Sequence, residues 1–305
     1  MVQNSQALTH PAKKWIKNNW AGFFFLSPWI IGMIVFTIIP IIVSLYLSFT
    51  DYNILAPPKW IGIDNYSTMF LTDPRFIKSL STTFKFVFLG VPFKLLFALS
   101  IALILNRKMQ FLGFYRALYY LPSLLGSSVA VSILWRQIFN GSGLINQLLS
   151  HFGIQGMNWI ATPSTALYTV ILLEIWQFGS PMLIFLAGLK QIPIELYESA
   201  RIDGAKAFRQ FLSITIPLLS PTVFFNLIMQ VINALQSFNS VFIISGGTGG
   251  PRDSTLLISL YLYLKGFTFF QMGYASALAW VVLGIVAIIT FIQFALSKKW
   301  VFYEN

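Results

Sequence analysis

The chain has 305 residues, of which 56% are hydrophobic and only 10% charged, against about 25% charged in ordinary soluble domains. A soluble chain of this length would have too little polar surface to cover itself, so an integral membrane protein is expected. The net charge of +11 fits lysine and arginine gathered in cytoplasmic loops better than nucleic-acid binding, and with no cysteine and only His10 and His151 there is no basis for disulfides, thiolate metal sites or a local zinc motif.

A spanning helix needs about 20 predominantly apolar residues, and six stretches supply them: 20–49, 80–105, 114–139, 165–189, 217–245 and 272–297. The reading is therefore all-α with six transmembrane helices. Residues 1–19 carry Lys13, Lys14 and Lys17 and read as a cytoplasmic segment. The apolar run after them is too long for a signal-peptide core and closes on no small-x-small site, so span one is expected to be retained. The segment 51–78 sets Asp51, Asp64 and Asp73 against Lys59, Arg75 and Lys78 and reads as external. Arg107, Lys108 and Arg116 lie between spans two and three, while 140–164 holds only His151. The tail 299–305 follows Lys298 and begins with Lys299. Positive charge thus falls on one side, which places both termini in the cytoplasm. Pro40, Pro92, Pro122 and Pro181 interrupt spans, as membrane helices tolerate when neighbours satisfy the freed carbonyls.

The loop 190–217, between spans four and five, is long and amphipathic, with Lys190, Arg201, Lys206 and Arg209 against Glu195, Glu198 and Asp203. Connections this long usually do something. Pro193 suits the first turn of a short helix with Glu195 near its positive end, and Gly204 supplies a break. Asp203 is then placed to cap a second short helix, 205–214, before Pro217 opens span five. The expected shape is a helix–turn–helix elbow at the cytoplasmic surface. On physics alone an interfacial helix resting on lipid fits almost as well.

Glu198-Ser-Ala200, then Gly204, then Ile214-x-Ile216-Pro217 resembles the EAA loop (E-A-A-x3-G-x9-I-x-L-P) of permease subunits in binding-protein-dependent importers. Ser199 and Ile216 depart mildly from it. Pro40 with Ser44–Phe49 and Trp60–Tyr66 also resemble the family, and Trp176–Pro181, Leu186–Leu189, Pro193, Asp203-Gly204-Ala205 and Phe238-Asn239 before Gly246–Pro251 resemble its carbohydrate branch. The chain resembles the MalF/UgpA-like half of a carbohydrate ABC importer permease, without the extra N-terminal helices and large external domain of the maltose protein. That resemblance implies a type I (MetI-like) permease fold over 20–298, located in a bacterial cytoplasmic membrane. It implies an elbow that docks as a coupling helix on a separate ATPase, with Glu198 and Gly204 foremost and Ala200, Asp203, Ala205 and Pro217 beside them. The implied partners are a second homologous permease, two ATPase subunits holding ATP-Mg, and an extracellular or periplasmic solute-binding protein that delivers a sugar or oligosaccharide. No cofactor is expected on this chain, which is read as a non-catalytic subunit.

Polar groups inside spans are candidates for the substrate pathway. At about 100° per residue, Gln230, Asn233, Ser237 and Ser240 share a face about 80° wide on span five, with Gln236 at its border and Asn239 on the far side. Amides and hydroxyls match sugar hydroxyls as donors and acceptors, and Phe238 and Trp176 offer stacking faces. Inter-helix hydrogen bonding is the plainer use of the same residues. The family resemblance favours Gln236 and Asn239. Lys94 in span two and Glu174 in span four are read either as a structural ion pair or with Glu174 and Gln177 facing a cavity. In the second case Lys94, with Lys85 nearer the outside, suits a uronic-acid sugar.

No G-x-x-x-x-G-K-[S/T] motif is present, and the glycine-rich run Gly246–Pro251 reads as an external turn. A proton- or sodium-coupled secondary transporter is the alternative, with Glu174 as its proton site. It leaves the loop at 195–217 without a purpose and calls for an internal repeat that the sequence does not show. A membrane-embedded enzyme finds no histidine cluster, triad or carboxylate pair in its support.

Overall fold

The computed structural model describes residues 20–107, 109–126 and 128–302. Lys13, Lys14, Lys17 and Lys108 fall outside the described residues, as does the end of the tail. Four helices are long and apolar enough to cross a membrane, Phe24–Ser48, Pro74–Leu105, Ala207–Leu235 and Met272–Ser297, and two bent helix pairs bring the number to six. The six expected spans are therefore present, with different internal construction.

Span one consists of α1 (Trp20–Met33), a π-helical turn at Ile34–Ile38 and α2 (Ile39–Ser48). The π turn answers to Pro40. Proline has no N–H and its ring clashes with the carbonyl four residues back. The Ile39 N–H accordingly reaches five residues back to the Ile34 carbonyl. α2 packs along the last span, and the short strands β1 (Thr50–Asp51) and β2 (Lys59–Trp60) pair antiparallel beyond it, before α3 (Asp64–Leu71).

Span two, α4 (Pro74–Leu105), starts six residues before the expected 80, so Arg75 and Lys78 belong to the helix. The cause is local: the Asp73 carboxylate caps the Arg75 and Phe76 N–H groups at 3.0 and 3.2 Å, and Pro74 occupies the first turn. Span three is α5 (Leu112–Leu125) and α6 (Val129–Ile138), meeting at 93°. α7 (Leu144–His151) follows outside the bundle. Span four is α8 (Ala166–Trp176) and α9 (Gly179–Gln191), bent by 41°.

The elbow contains α10 (Ile194–Ile202), but the second short helix is not separate from span five. α11 (Ala207–Gln210) runs through a π turn at Phe211–Thr215 into α12 (Ile216–Leu235) as one 29-residue helix. Pro217 is again the reason, because the Ile216 N–H pairs with the Phe211 carbonyl five residues back. Span five ends at Leu235 and resumes as α13 (Asn239–Ile244) after a break at 236–238. The glycine-rich run forms turns, with positive φ at Gly246, Gly247, Gly249 and Gly250. α14 (Ile258–Tyr263), to which the sequence reading assigned no element, then enters the core, with Ile258, Leu260 and Tyr261 at most 2% exposed. α15 (Met272–Ser297) is the sixth span.

The core is a single cluster centred on α4, which packs against α8, α9, α12 and α14. The N-terminal end of α4 is tied to the segment 253–274 by charge. The Asp73 carboxylate accepts from the Tyr261 and Tyr274 hydroxyls, with Lys265 Nζ at 3.8 Å, and Arg75 forms a two-point pair with Asp253 at 2.7 and 2.9 Å. Burial raises the Asp73 carboxyl, but the Tyr261 and Tyr274 hydroxyls, the Phe76 N–H and the Lys265 charge together hold it below its usual value. A depressed carboxyl stabilises the fold above its unfolded value, and this is lost as pH falls through the folded one. Melting of the purified protein is therefore expected to drop on acidification below about pH 4. Asp73→Asn should flatten that drop, and an unchanged acid limb would reject the role.

Candidate functional site

The elbow is built from ordinary capping chemistry. α10 ends at Ile202 with Asp203 as its C-cap, and Gly204 follows at φ +78°. The Ala205 N–H donates to the Ala200 carbonyl at 2.8 Å and the Gly204 N–H to the Arg201 carbonyl at 3.0 Å. This is the Schellman arrangement, which asks for glycine in the left-handed position. The capping role expected of Asp203 is not seen. Lys206 occupies the N-cap of α11 without a side-chain cap, and the Gln210 side chain donates instead to the Ala205 carbonyl at 2.8 Å. Tyr197 and Thr215 share a hydroxyl contact at 2.8 Å that ties α10 to the start of span five. Glu198, Asp203 and Gly204 are exposed, and so are the apolar side chains of Ile194, Leu196, Ile202 and Phe208, up to 88% at Ile202. An apolar patch of this kind on a charged elbow marks an interaction surface for a protein or a membrane.

The second feature is a cavity of about 280 Å³ at the level where spans three, four and five are broken. The break in span four has a covalent cause. Pro181 has no N–H for the Gln177 carbonyl four residues back, so that carbonyl accepts from the Ser123 hydroxyl at 2.9 Å. The same Ser123 oxygen accepts the Ser180 N–H at 2.9 Å. In span five no proline or glycine stands at 236–238. The freed Ser237 carbonyl is taken by the Ser259 hydroxyl of α14.

The lining comprises Lys94, Glu174, Gln177, Gln230, Asn233, Ser237, Asn239 and Ser240 from the expected set, with Phe238 beside them. Past Leu235 the helical wheel holds for Ser237 and Ser240 but not for Gln236 and Asn239, because the break re-aims the chain. Asn239, on the far side of an ideal helix, lines the cavity, while Gln236 is an exposed helix-capping residue outside the lining. Trp176 also lies outside it and packs on Trp135, ring centres 6.0 Å apart. Ser123, Ser180 and Pro181 line the cavity without having been singled out from the sequence. The available signal was a serine beside a proline in mid-span, as in Pro122-Ser123 and Ser180-Pro181.

Lys94 Nζ lies 2.6 Å from Glu174 Oε1, with the two side chains 8% and 14% exposed. The two readings of this pair are both realised: it joins spans two and four, and it forms part of the cavity wall. Its charges cancel, so a uronate would have to displace Glu174 to reach Lys94. Lys85 is exposed and outside the lining. Gln230 is 5% exposed and its Oε1 accepts no hydrogen bond among the described residues. That leaves a buried acceptor facing a polar cavity. Hydroxyl-rich ligands meet such a lining, because each hydroxyl both donates and accepts.

Comparison with known proteins bears on both features. The family described as binding-protein-dependent transport system inner membrane component matches residues 69–301. A probable ABC transporter permease, YesP, of Bacillus subtilis is 54% identical over 290 residues, covering 95% of this chain and 94% of the relative. The lactose transport system permease LacF of Rhizobium radiobacter is 35% identical, covering 91% of this chain and 94% of the relative. Among solved structures, a chain of a bacterial ABC transporter that imports the acidic polysaccharide alginate superposes with a TM-score of 0.80 at 23% identity, over 94% of this chain and 98% of that one. That last likeness concerns the fold.

Proposed function

The chain belongs to the family of binding-protein-dependent transport system inner membrane components, and on that premise we propose that it forms half of the pathway of an ATP-driven importer of a sugar or oligosaccharide. It is a multi-pass membrane protein and a permease, the non-catalytic part of such a transporter. The observation that carries the coupling assignment is the exposed helix α10, whose apolar side chains Ile194, Leu196 and Ile202 lie between spans four and five and end at the Gly204 cap. A separate ATPase that binds ATP-Mg is the partner proposed for it. Glu198, Gly204 and the residues around them are the proposed contact.

A second permease follows from the cavity. Ser180, Asn233 and Asn239 are exposed at its open side, and amides facing hydrocarbon are costly. A homologous subunit presenting a polar wall of its own resolves this. The proposed substrate contacts are Glu174, Gln177, Gln230, Asn233, Ser237 and Asn239. Gln236 and Trp176 have less support, because neither lines the cavity. Delivery by an external solute-binding protein and cytoplasmic termini in a bacterial plasma membrane complete the proposal. The lactose relative supports a sugar as the transported class. Against a proton-coupled carrier, Glu174 is engaged by Lys94.

The test is co-purification with the candidate partner permease, ATPase and binding protein, followed by ATPase assays with neutral and uronate oligosaccharides. Stimulation by at least one sugar is expected. Uptake that survives deletion of the ATPase would overturn the proposal.

A further inference from the structure

Spans three, four and five are each interrupted beside the cavity, and their pieces fall into two groups. The inner pieces α5, α9 and α12 pack through α9, which touches both of the others. The outer pieces α6, α8 and α13 pack through α13, and Trp135 Nε1 of α6 donates to the Thr169 carbonyl of α8 at 2.8 Å. Only the inner group is continuous with the elbow helix α10. The cavity is shared between the groups. Ser180, Gln230 and Asn233 come from the inner pieces, whereas Glu174, Asn239 and Ser240 come from the outer ones.

One side chain joins the two groups at the break in span four. Ser123, on α5, donates to the Gln177 carbonyl at the end of α8 and accepts from the Ser180 N–H at the start of α9. Both bonds satisfy backbone groups that a broken helix leaves without partners. The joint is closely fitted. A Cβ on Gly179 would stand 2.7 Å from the Tyr119 carbonyl, and one on Gly126 would stand 2.2 Å from the Gln177 side chain.

We propose that Ser123 is a positioning residue for transport: its hydroxyl spans the break in the fourth span and sets the spacing between the two groups of cavity side chains. The inner group pivots against the outer one when the elbow is displaced. Gln230 and Asn233 then move relative to Glu174 and Asn239, and the ligand loses half of its contacts at once. The unbroken helices α4 and α15 are the frame against which this happens. The pivoting rests on the coupling role proposed above for the elbow, whereas the resting spacing does not.

The chain has no cysteine, so a pair of spin labels can be placed cleanly. Leu172 on α8 and Ala187 on α9 are both exposed, and Leu172→Cys with Ala187→Cys reports the angle across the break. In the full complex, with partner cysteines removed, one narrow distance population is expected without nucleotide. It should shift by several ångströms (about 3–6 Å for a turn's displacement) on trapping with ATP and vanadate. Ser123→Ala should at least double the width of the resting distribution, and Ser123→Thr, which keeps the hydroxyl, should leave it narrow. No shift on trapping in a complex that hydrolyses ATP would overturn the pivot. A narrow distribution in the alanine variant, or equal broadening by threonine, would overturn the role of Ser123. If no ATPase associates, the coupling assignment fails, and the resting widths of the isolated permease still decide the role of Ser123.

Discussion

Glu174→Gln is expected to leave little folded transporter in the membrane. The change leaves the Lys94 ammonium, 8% exposed in the cavity wall and now 2.6 Å from a carboxylate, without its counter-charge. Removing one partner of a buried pair costs about 3–5 kcal/mol, and a lone charge at mid-membrane about 2.5–3.5 kcal/mol on the insertion scale. Either figure is a large share of a typical total stability of about 5–15 kcal/mol. The double variant Lys94→Gln with Glu174→Gln removes both charges and should recover most of the folded protein, as seen by size-exclusion yield and melting. Uptake by the double variant separates the two uses of the pair. A purely structural pair predicts normal uptake once the fold is restored. A pair that also contacts ligand predicts a loss of about one to two decades in affinity, since hydrogen bonds to charged groups are worth about 1.5–3 kcal/mol. The position of both residues in the cavity wall favours the second outcome, and full uptake in the double variant would refute it. Comparing neutral and uronate substrates in the folded double variant adds the charge question: an equal loss for both removes the case for an acidic ligand.

The second large effect is expected at the elbow. Gly204 holds φ +78°, a region that costs an L-residue about 1–2 kcal/mol. A Cβ built there meets nothing within 4 Å among the described residues. Gly204→Asp should therefore fold, with its melting lowered by a few degrees at most (about 1–2 kcal/mol spread over a chain of this size). Because none of the described residues fills that space, a larger effect points to a contact outside the chain. Co-purification of the ATPase is expected to fall at least about tenfold, a loss of some 1.4 kcal/mol in binding, and ATP-driven uptake should fall with it. Gly204→Ala serves as the control for backbone strain alone. An aspartate variant that still recruits the ATPase and transports normally would remove the elbow from the coupling scheme.

These expectations draw unequally on what was legible in the sequence. The six spans were readable because a membrane helix is a long apolar block, and length alone identifies it. The elbow was readable because Glu198, Gly204 and Pro217 stand at recognisable offsets. The breaks inside the spans were less so. Pro181 announced the one in span four, through the carbonyl it leaves free at Gln177. Nothing at Gln236–Phe238 announced the one in span five, which is stabilised by Ser259, far along the chain. The wheel drawn on an unbroken helix therefore excluded Asn239 and kept Gln236 near the polar face, the reverse of what the structure places at the cavity. Ser123 was invisible for a related reason. Its partners are backbone atoms 54 and 57 residues away, and no local pattern encodes them. The Lys94–Glu174 pair was visible as two charges in apolar surroundings, but whether it faced the cavity depended on packing across spans.

The π turn before Pro217 has a consequence for how the elbow and the cavity are phased. Such a turn holds one residue more than an α turn of the same advance, and each residue turns a helix by about 100°. Everything from Pro217 onward is thus rotated by that amount relative to an uninterrupted helix begun at Ala207. Gln230 and Asn233 point into the cavity because of that offset; without it, the same elbow would present them to a different neighbour. The proline acts at a distance of several turns, as an angular setting between the exposed elbow and the side chains that line the cavity.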